Sequence, residues 1–383
     1  MNVQAPRGTE LVGGGRRIGL GPRWLAHVWS GGINRVLDRI DAGLERGSIE
    51  GVLPDGSVRV LGRRAPGFQA RVEIRDPRAL LRLATSGSVG WYRAWEAGEW
   101  DSPDPVPLFA LFMDNGLSLG EAGRARGPWR IVARAMHWLR RNTRAGALSN
   151  IQAHYDLGND FYAAWLDPTM SYSSARFDGE ARDLETAQRR KLDTIAERLQ
   201  GCESVLEIGC GWGALADHLA ARGAQVTAIS LSEEQLAWAR ARHDAGIAFR
   251  KQDYRDMEGE FDGIASVEMV EAVGQEYWPA FFDCLARCLK PGGRAAIQFI
   301  SIRDEFFESY ATSADFIQAY IFPGGMLVRQ SAFRHLAAER GLAWTDQTDF
   351  GLDYAETLRM WRENFDRAVE QGRLPAGFDA RFA

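Results

Sequence analysis

Short apolar runs and segments with helical spacing alternate along the second half of the chain. The apolar runs predict strands at residues 204–208, 225–230, 247–251, 261–267 and 294–300. Amphipathic spacing predicts helices at residues 214–222, 233–243 and 277–289. Strands and helices that alternate in this way are typical of a mostly parallel sheet with helices on both faces. We therefore predict an α/β domain over residues 149–383.

The first 120 residues carry a different pattern, which mixes short strands with short helices. The pattern predicts a lead-in helix, a hairpin of two strands, a half-buried strand and a further helix, at residues 24–40, 49–53 with 57–61, 70–74 and 77–86. The hairpin is indicated by the turn tripeptide Pro54-Asp55-Gly56, and Asp76 and Gly87 mark the expected ends of the second helix. We predict a small α+β N-terminal accessory domain, residues 1–120.

A basic segment, residues 121–148, joins the two predicted domains. It contains seven arginines and one acid, Glu121, and from Pro128 onward its spacing is helical. Arg130, Arg134 and Arg141 share one stripe of that helix, with Trp129 and Trp138 beside an apolar stripe. Two interpretations remain open: a helix that binds an anionic membrane surface, or an interdomain helix with solvated arginines.

The composition of the 383 residues limits the classes of function. Hydrophobic residues make up 45% and charged residues 25%, and the net charge of −5 gives no electrostatic case for binding nucleic acid. No apolar run approaches the roughly 20 residues of a membrane span, and the N-terminus lacks a signal-peptide pattern. Four cysteines without CxxC spacing indicate neither a zinc site nor disulfides. We expect a cytoplasmic protein, peripherally associated with the inner face of the membrane, without a metal.

The sharpest local motif is the run from Val205 to Gly213, Val-Leu-Glu-Ile-Gly-Cys-Gly-Trp-Gly. Glycines between a strand and a helix let the backbone approach a ligand closely. The run also fits a dinucleotide fingerprint through Ala214, but Glu207 stands at the strand end and Ser230 replaces the acid expected after the second strand. A carboxylate at this loop suits the cationic amino-acid end of S-adenosylmethionine better than a pyrophosphate.

Several segments together resemble the cyclopropane-fatty-acyl-phospholipid synthase family of S-adenosylmethionine-dependent methyltransferases. The resemblance covers nearly the whole chain and implies a Rossmann-like class I methyltransferase fold. The segments that carry it are residues 154–162, residues 170–174, the glycine loop with residues 229–235, residues 268–274, and residues 320–325.

The resemblance also implies the roles of individual residues. The S-adenosylmethionine site would be lined by Tyr172, Ser173, Glu207, Gly209, Gly211, Ser230, Leu231 and Gln235, with Asp253 and Tyr254 at the adenine. In the family, a bicarbonate ion beside the reacting methyl acts as base. Its matching ligands here are Glu271, Tyr354 and the amide of Ile300, whereas Ser174 and Gln298 stand where the family has Cys and His. Ser and Gln can still hydrogen-bond an anion, so the resemblance implies a chemically altered anion site.

The implied reaction adds a one-carbon unit to the cis double bond of an unsaturated fatty-acyl chain of a phospholipid. Methyl transfer would leave a carbocation, which carboxylates and aromatic faces stabilise. The aromatic candidates are Phe299, Tyr310, Phe316, Tyr320, Phe322, Tyr354 and Trp361. Proton loss then gives a cyclopropane or a methyl or methylene branch, and the sequence leaves these open. The alternatives are a C-methyltransferase for another hydrophobic acceptor and a non-catalytic lipid-binding or regulatory homologue, with a homodimer as a candidate assembly.

Overall fold

The computed structural model describes residues 30–119, 157–178, 182–243, 246–311, 315–322 and 324–378. Within these ranges the chain divides into two compact units: residues 30–119 with part of 308–321 form one, and residues from 157 to 307 and from 322 to 378 form the other. The basic segment 121–148 and His154 lie outside the described residues, so the predicted domain boundaries stay predictions. No helix in the described ranges combines the length and apolar character needed to cross a bilayer.

The smaller unit packs short helices against a four-stranded sheet. Its elements are α1 Ser30–Gly43, β1 Ser48–Val52, β2 Val58–Gly62, β3 Gln69–Ile74, α2 Arg78–Glu96, β4 Trp100–Asp101, α3 Val106–Asp114 and α4 Gly116–Leu119. The strand order is β2-β1-β3-β4. The predicted hairpin is confirmed, because β1 and β2 pair in antiparallel fashion with Val52 opposite Val58. The alternating burial along β3 confirms the predicted half-buried strand.

One prediction for this unit is wrong: helix α2 does not end at Gly87. That residue has a φ of 59° and breaks the helical geometry, but the chain resumes a helix and continues to Glu96. The second part of the helix buries Trp91 and Ala94 in the core of the unit, which favours its continuation. The sequence pattern had therefore located a kink rather than an end.

The larger unit contains the predicted alternation of strands and helices. Its elements are α5 Asn159–Ala163, α6 Leu184–Arg198, β5 Ser204–Ile208, α7 Ala214–Ala220, β6 Gln225–Ser230, α8 Glu233–Arg242, β7 Ala248–Lys251, β8 Phe261–Val267, α9 Trp278–Cys288, β9 Leu289–Gln298, β10 Ser301–Ile302, α10 Asp304–Ala311 (whose last turn belongs to the smaller unit), β11 Val328–Arg329, α11 Gln330–Glu339 and α12 Gly351–Glu370. Short 3-10 turns lie at Tyr254–Asp256, Val270–Ala272 and Gln275–Tyr277.

The main sheet has the order β7-β6-β5-β8-β9, and every neighbouring pair is parallel. The strand β9 starts earlier than predicted, because Leu289 already pairs with Phe261 before the register shifts and Gly263 pairs with Arg294. Of the five strands, β5 comes first in the chain, and its neighbours β6 and β8 lie on its two sides. The order in which the chain adds strands to the sheet therefore reverses at β5. The carboxyl end of β5 is therefore the point where a ligand site is expected.

Candidate active site

A pocket lies at the carboxyl ends of β5, β6 and β8. The glycine loop that follows β5 lines it, and Gly209 adopts a φ of 85°. A Cβ on Gly209 would lie 2.6 Å from the Cγ atom of Met269, so the close approach requires glycine. The N–H groups of Gly209 and Cys210 both donate to the carbonyl of Ile229, at 2.9 and 3.0 Å, which ties the loop to β6.

All ten residues predicted to bind S-adenosylmethionine line this one pocket. They are Tyr172, Ser173, Glu207, Gly209, Gly211, Ser230, Leu231, Gln235, Asp253 and Tyr254. They come from four separate parts of the chain: the segment before α6, the end of β5, the end of β6 with the start of α8, and the turn after β7. The structure thus brings the predicted set together, while its role in binding the cofactor stays a prediction.

Three of these side chains leave polar atoms unsatisfied inside the protein. The Oε2 atom of Glu207, the Nε2 atom of Gln235 and the hydroxyl of Tyr254 are buried and have no hydrogen-bond partner among the described residues. Burial raises the pKa of Glu207 to about 8, although a backbone N–H from Ala216 opposes the shift. Since buried polar groups are normally hydrogen-bonded, these atoms mark where a polar ligand would complete the structure.

Three of the five predicted catalytic residues donate hydrogen bonds to two glutamates, Glu268 and Glu271, and Glu271 is itself one of the five. The N–H of Ser174 and the Nε2 atom of Gln298 donate to the Oε1 atom of Glu268, at 2.9 and 2.8 Å. Burial, followed by the charge of Glu268, raises the pKa of the Tyr354 hydroxyl. The N–H of Ile300 donates to the Oε1 atom of Glu271.

Glu268 was not among the predicted site residues, although it lies in a segment that carries the family resemblance. It follows β8 directly, lines the pocket, and adopts a φ of 47° that non-glycine residues rarely take. Burial raises the pKa of Glu268, and hydrogen bonds from Gln298 and Ser174 oppose that shift. An acid in a strained conformation at a strand end was the signal that could have identified it.

Lys191 is a second residue that the sequence interpretation missed. It is buried and lines the pocket from α6, where its Nζ atom donates to the Oγ atom of Ser173 at 2.6 Å and to the side-chain oxygen of Gln188. Burial lowers the pKa of Lys191 to about 8, whereas the charges of Glu268 and Asp167 raise it. Its spacing from the buried residues Leu184, Ala187 and Ile195 of the same helix places it on the inner face, which was the available signal.

Three residues assigned to bicarbonate donate hydrogen bonds to the chain's own carboxylates. The N–H of Ser174 and the side-chain amide of Gln298 bond Glu268, and the amide of Ile300 bonds Glu271. An additional anion here would meet the carboxylate of Glu268 and would have to displace these bonds, at a Coulombic cost in a site of low dielectric. The residues present therefore do not fit a bound bicarbonate.

An aromatic cluster surrounds Tyr172 beside the pocket. The ring centroid of Tyr172 lies 5.2 Å from that of Trp361, 5.7 Å from that of Trp165 and 6.2 Å from that of Phe322, and Tyr354 lies 6.4 Å from Trp361. Three predicted aromatic candidates are thus brought together: Phe322, Tyr354 and Trp361. Phe299 instead packs on Phe333 and Trp344. Tyr310, Phe316 and Tyr320 belong to the smaller unit, where Phe316 and Tyr320 pack on Tyr92.

Comparison with known proteins gives a consistent family. Residues 142–380 match the model of the mycolic acid cyclopropane synthetase family. The chain is 38% identical to the tuberculostearic acid methyltransferase UfaA1 of Mycobacterium tuberculosis, over 81% of this chain and 76% of that protein. It is 34% identical to the cyclopropane-fatty-acyl-phospholipid synthase of Escherichia coli, over 77% of this chain and 76% of that protein.

Solved structures show the same fold. The cyclopropane synthase MmaA2 from Mycobacterium tuberculosis aligns with a TM-score of 0.54 and 27% identity, over 58% of this chain and 85% of that chain. The mycolic acid cyclopropane synthase CmaA1, complexed with SAH and CTAB, aligns with a TM-score of 0.53 and 26% identity, over 60% and 85% of the two chains. The larger unit is accordingly a Rossmann-like class I methyltransferase fold, as predicted.

Proposed function

This chain belongs to the mycolic acid cyclopropane synthetase family, and we propose that it adds a one-carbon unit from S-adenosylmethionine to the cis double bond of unsaturated acyl chains of phospholipids. At the coarser level it is an S-adenosylmethionine-dependent methyltransferase that modifies lipids. The observation that carries the proposal is a pocket in which cofactor-site residues and the carboxylate of Glu268 share one lining. Attachment to the inner face of the membrane through residues 121–148 forms part of the proposal.

The cofactor end of the pocket supplies what S-adenosylmethionine needs. The buried carboxylate of Glu207 would pair with the ammonium of the amino-acid end or accept a bond from the ribose, and Gln235 would donate through its unpaired amide nitrogen. Asp253 and Tyr254, at the turn after β7, would hold the adenine. The sulfonium methyl would then point toward Glu268 and the aromatic cluster around Tyr172.

The reaction end would serve the acyl chain. A cis double bond is a weak nucleophile, so the residues must hold it in line with the methyl and exclude water. The aromatic faces of Tyr172 and Trp361 would stabilise the carbocation that forms. The name of the Escherichia coli relative favours a phospholipid acyl chain and a cyclopropane, whereas the name of UfaA1 favours a methyl-branched product, which is the second candidate.

The test is incubation of the purified protein with S-adenosylmethionine, labelled at its methyl group, and vesicles of phospholipid with cis-monounsaturated chains. We expect a labelled fatty-acid methyl ester heavier by one CH2, and gas chromatography with nuclear magnetic resonance distinguishes a ring from a branch. Vesicles with saturated chains are the matched control and should give no labelled product. Failure to label phospholipid, free fatty acid or mycolic acid substrates would contradict the proposal and favour the non-catalytic alternative.

A further inference from the structure

Glu268 occupies an unusual position in the backbone. It is the residue immediately after β8, and its φ of 47° lies in the left-handed region that favours glycine. Its own N–H donates to the carbonyl of Gln298 at 2.8 Å, which fixes the end of β8 against β9. A glutamate held in a strained conformation directs its side chain into the pocket, where it forms part of the lining.

The carboxylate of Glu268 accepts two hydrogen bonds from two separate parts of the chain. A backbone N–H comes from Ser174, and a side-chain amide comes from Gln298 at the end of β9. Burial and the neighbouring carboxylates raise the pKa of Tyr354, so its hydroxyl stays protonated beside them. Burial raises the pKa of Glu268, while the two converging donors and the buried ammonium of Lys191 favour its ionised form.

We propose that the carboxylate of Glu268, and not a bound bicarbonate, accepts the proton that leaves the alkylated acyl chain. This inference rests on the proposed function of the same site. The backbone N–H of Ser174 and the side-chain amide of Gln298, which could hold a separate anion, already bond Glu268, and the amide of Ile300 bonds Glu271. The carboxylate of Glu268 therefore takes the place of a bound anion. Because Glu268 is part of the chain, it supplies the negative charge without a separate anion having to bind from solution.

The proposed step balances without any further reactant. The π electrons of the double bond form a carbon–carbon bond to the methyl group while the methyl–sulfur bond breaks, which leaves S-adenosylhomocysteine and a carbocation. Glu268 then takes a proton from carbon and becomes a carboxylic acid. The electrons of the broken C–H bond close a ring if the proton leaves the added methyl, or form a double bond if it leaves a neighbouring carbon.

Glu271 is less suited to this role. It is not among the residues that line the pocket, and its Oε1 atom is held by the N–H of Ile300. Its Oε2 atom is buried and has no partner among the described residues. Glu268, in contrast, lines the pocket and accepts bonds from Ser174 and Gln298 that favour its charged form.

The first experiment uses the wild-type protein in buffers freed of carbon dioxide, with and without added bicarbonate. We expect the same rate of product formation in both. A wild-type enzyme that forms product only when bicarbonate is added would overturn the inference while leaving the proposed function intact. A wild-type enzyme that forms no product under either condition would instead contradict the proposed function.

The second experiment compares two variants that differ in the space they leave. Glu268→Gln keeps the size of the side chain but loses its charge, and we expect turnover to fall by at least about a hundredfold. Glu268→Gly opens the site and suits the positive φ, so added formate or bicarbonate should restore part of its turnover. The same anions should not restore Glu268→Gln, because its amide still fills the space.

Glu258→Gln is the control, since Glu258 is an exposed acid outside the pocket, and its rate should equal that of wild type. Affinity for S-adenosylhomocysteine, measured by calorimetry, checks that each variant is folded and should change little. A Glu268→Gln protein that turns over at the wild-type rate, or a Glu268→Gly protein that binds the cofactor but is not restored by any small anion, would refute the role of Glu268.

Discussion

At the cofactor end of the pocket, Glu207, Gln235 and Tyr254 each keep a buried polar atom that no described residue satisfies. At the reaction end, the carboxylate of Glu268 accepts bonds from the N–H of Ser174 and the side-chain amide of Gln298. Unsatisfied atoms indicate that a polar ligand completes the first region. The bonds to Glu268 indicate that the chain itself supplies the anion at the reaction end. The two ends should therefore respond differently to mutation and to pH.

Removing the carboxylate at the cofactor end should have the largest effect. Glu207→Ala leaves the cationic or ribose group of S-adenosylmethionine without its partner, which should cost about 2–4 kcal/mol of binding, or roughly 30- to 800-fold in affinity. Calorimetric titration with S-adenosylmethionine measures the loss. Glu203→Gln, at an exposed acid just before β5, is the matched control and should bind like wild type. Unchanged affinity in a folded Glu207→Ala protein would remove Glu207 from the cofactor site.

The pH dependence of cofactor affinity should distinguish the same carboxylate. Burial raises the pKa of Glu207 to about 8, so the free protein holds a proton there at neutral pH and must release it to pair with a cation. Affinity should therefore rise by up to about tenfold per pH unit below pH 8, until the amino group of the cofactor also loses its charge. Calorimetry in buffers of different ionisation enthalpy should detect the released proton between pH 5.5 and 7.5.

Glu207→Gln is the control for this linkage, because it keeps the shape of the side chain but cannot ionise. Its affinity should be nearly independent of pH below 7.5, and binding should release no proton. A wild-type protein that binds S-adenosylmethionine equally well at pH 5.5 and 7.5 would show that Glu207 is already charged in the free protein.

Sequence reasoning found all ten of its cofactor-end residues in the pocket lining but missed Glu268 and Lys191 at the reaction end, for a physical reason. A glycine loop and Glu207 are local features, because one strand, one turn and one helix define them. The roles of Glu268 and Lys191 depend on packing between distant segments. Lys191 follows two arginines in the sequence, and only the orientation of α6 turns it inward while Arg189 and Arg190 remain at the surface.

Replacing Lys191, which removes the buried ammonium at the reaction end, should have a smaller effect than replacing Glu207 at the cofactor end. Lys191→Met takes away a positive charge that favours the ionised form of Glu268, so the pKa of Glu268 should rise further. We expect the rate near pH 6.5 to fall about fivefold and to recover as the pH increases. The pH–rate profile is the measurement. A uniform loss at all pH values, or a large fall in melting temperature, would indicate a structural role instead.

The smallest effect on turnover should come from Glu271→Gln. Burial, followed by the charge of Glu268, raises the pKa of Glu271 from 4.5 to about 8, so at neutral pH the side chain carries a proton and resembles glutamine. We expect the rate at pH 7 to change by about threefold or less, because Gln can still accept the bond from Ile300.

The stability of the protein should respond to Glu271→Gln more clearly than its turnover. Between pH 4.5 and 8 the folded protein binds more protons at this site than the unfolded chain, so the contribution of Glu271 to the free energy of unfolding decreases as the pH rises through that window. Glu271→Gln removes this dependence, and its melting temperature relative to wild type should increase from pH 5 to pH 8. If turnover at pH 7 is abolished instead, Glu271 acts in its charged form, and the division between a built-in anion at Glu268 and a neutral neighbour at Glu271 is wrong.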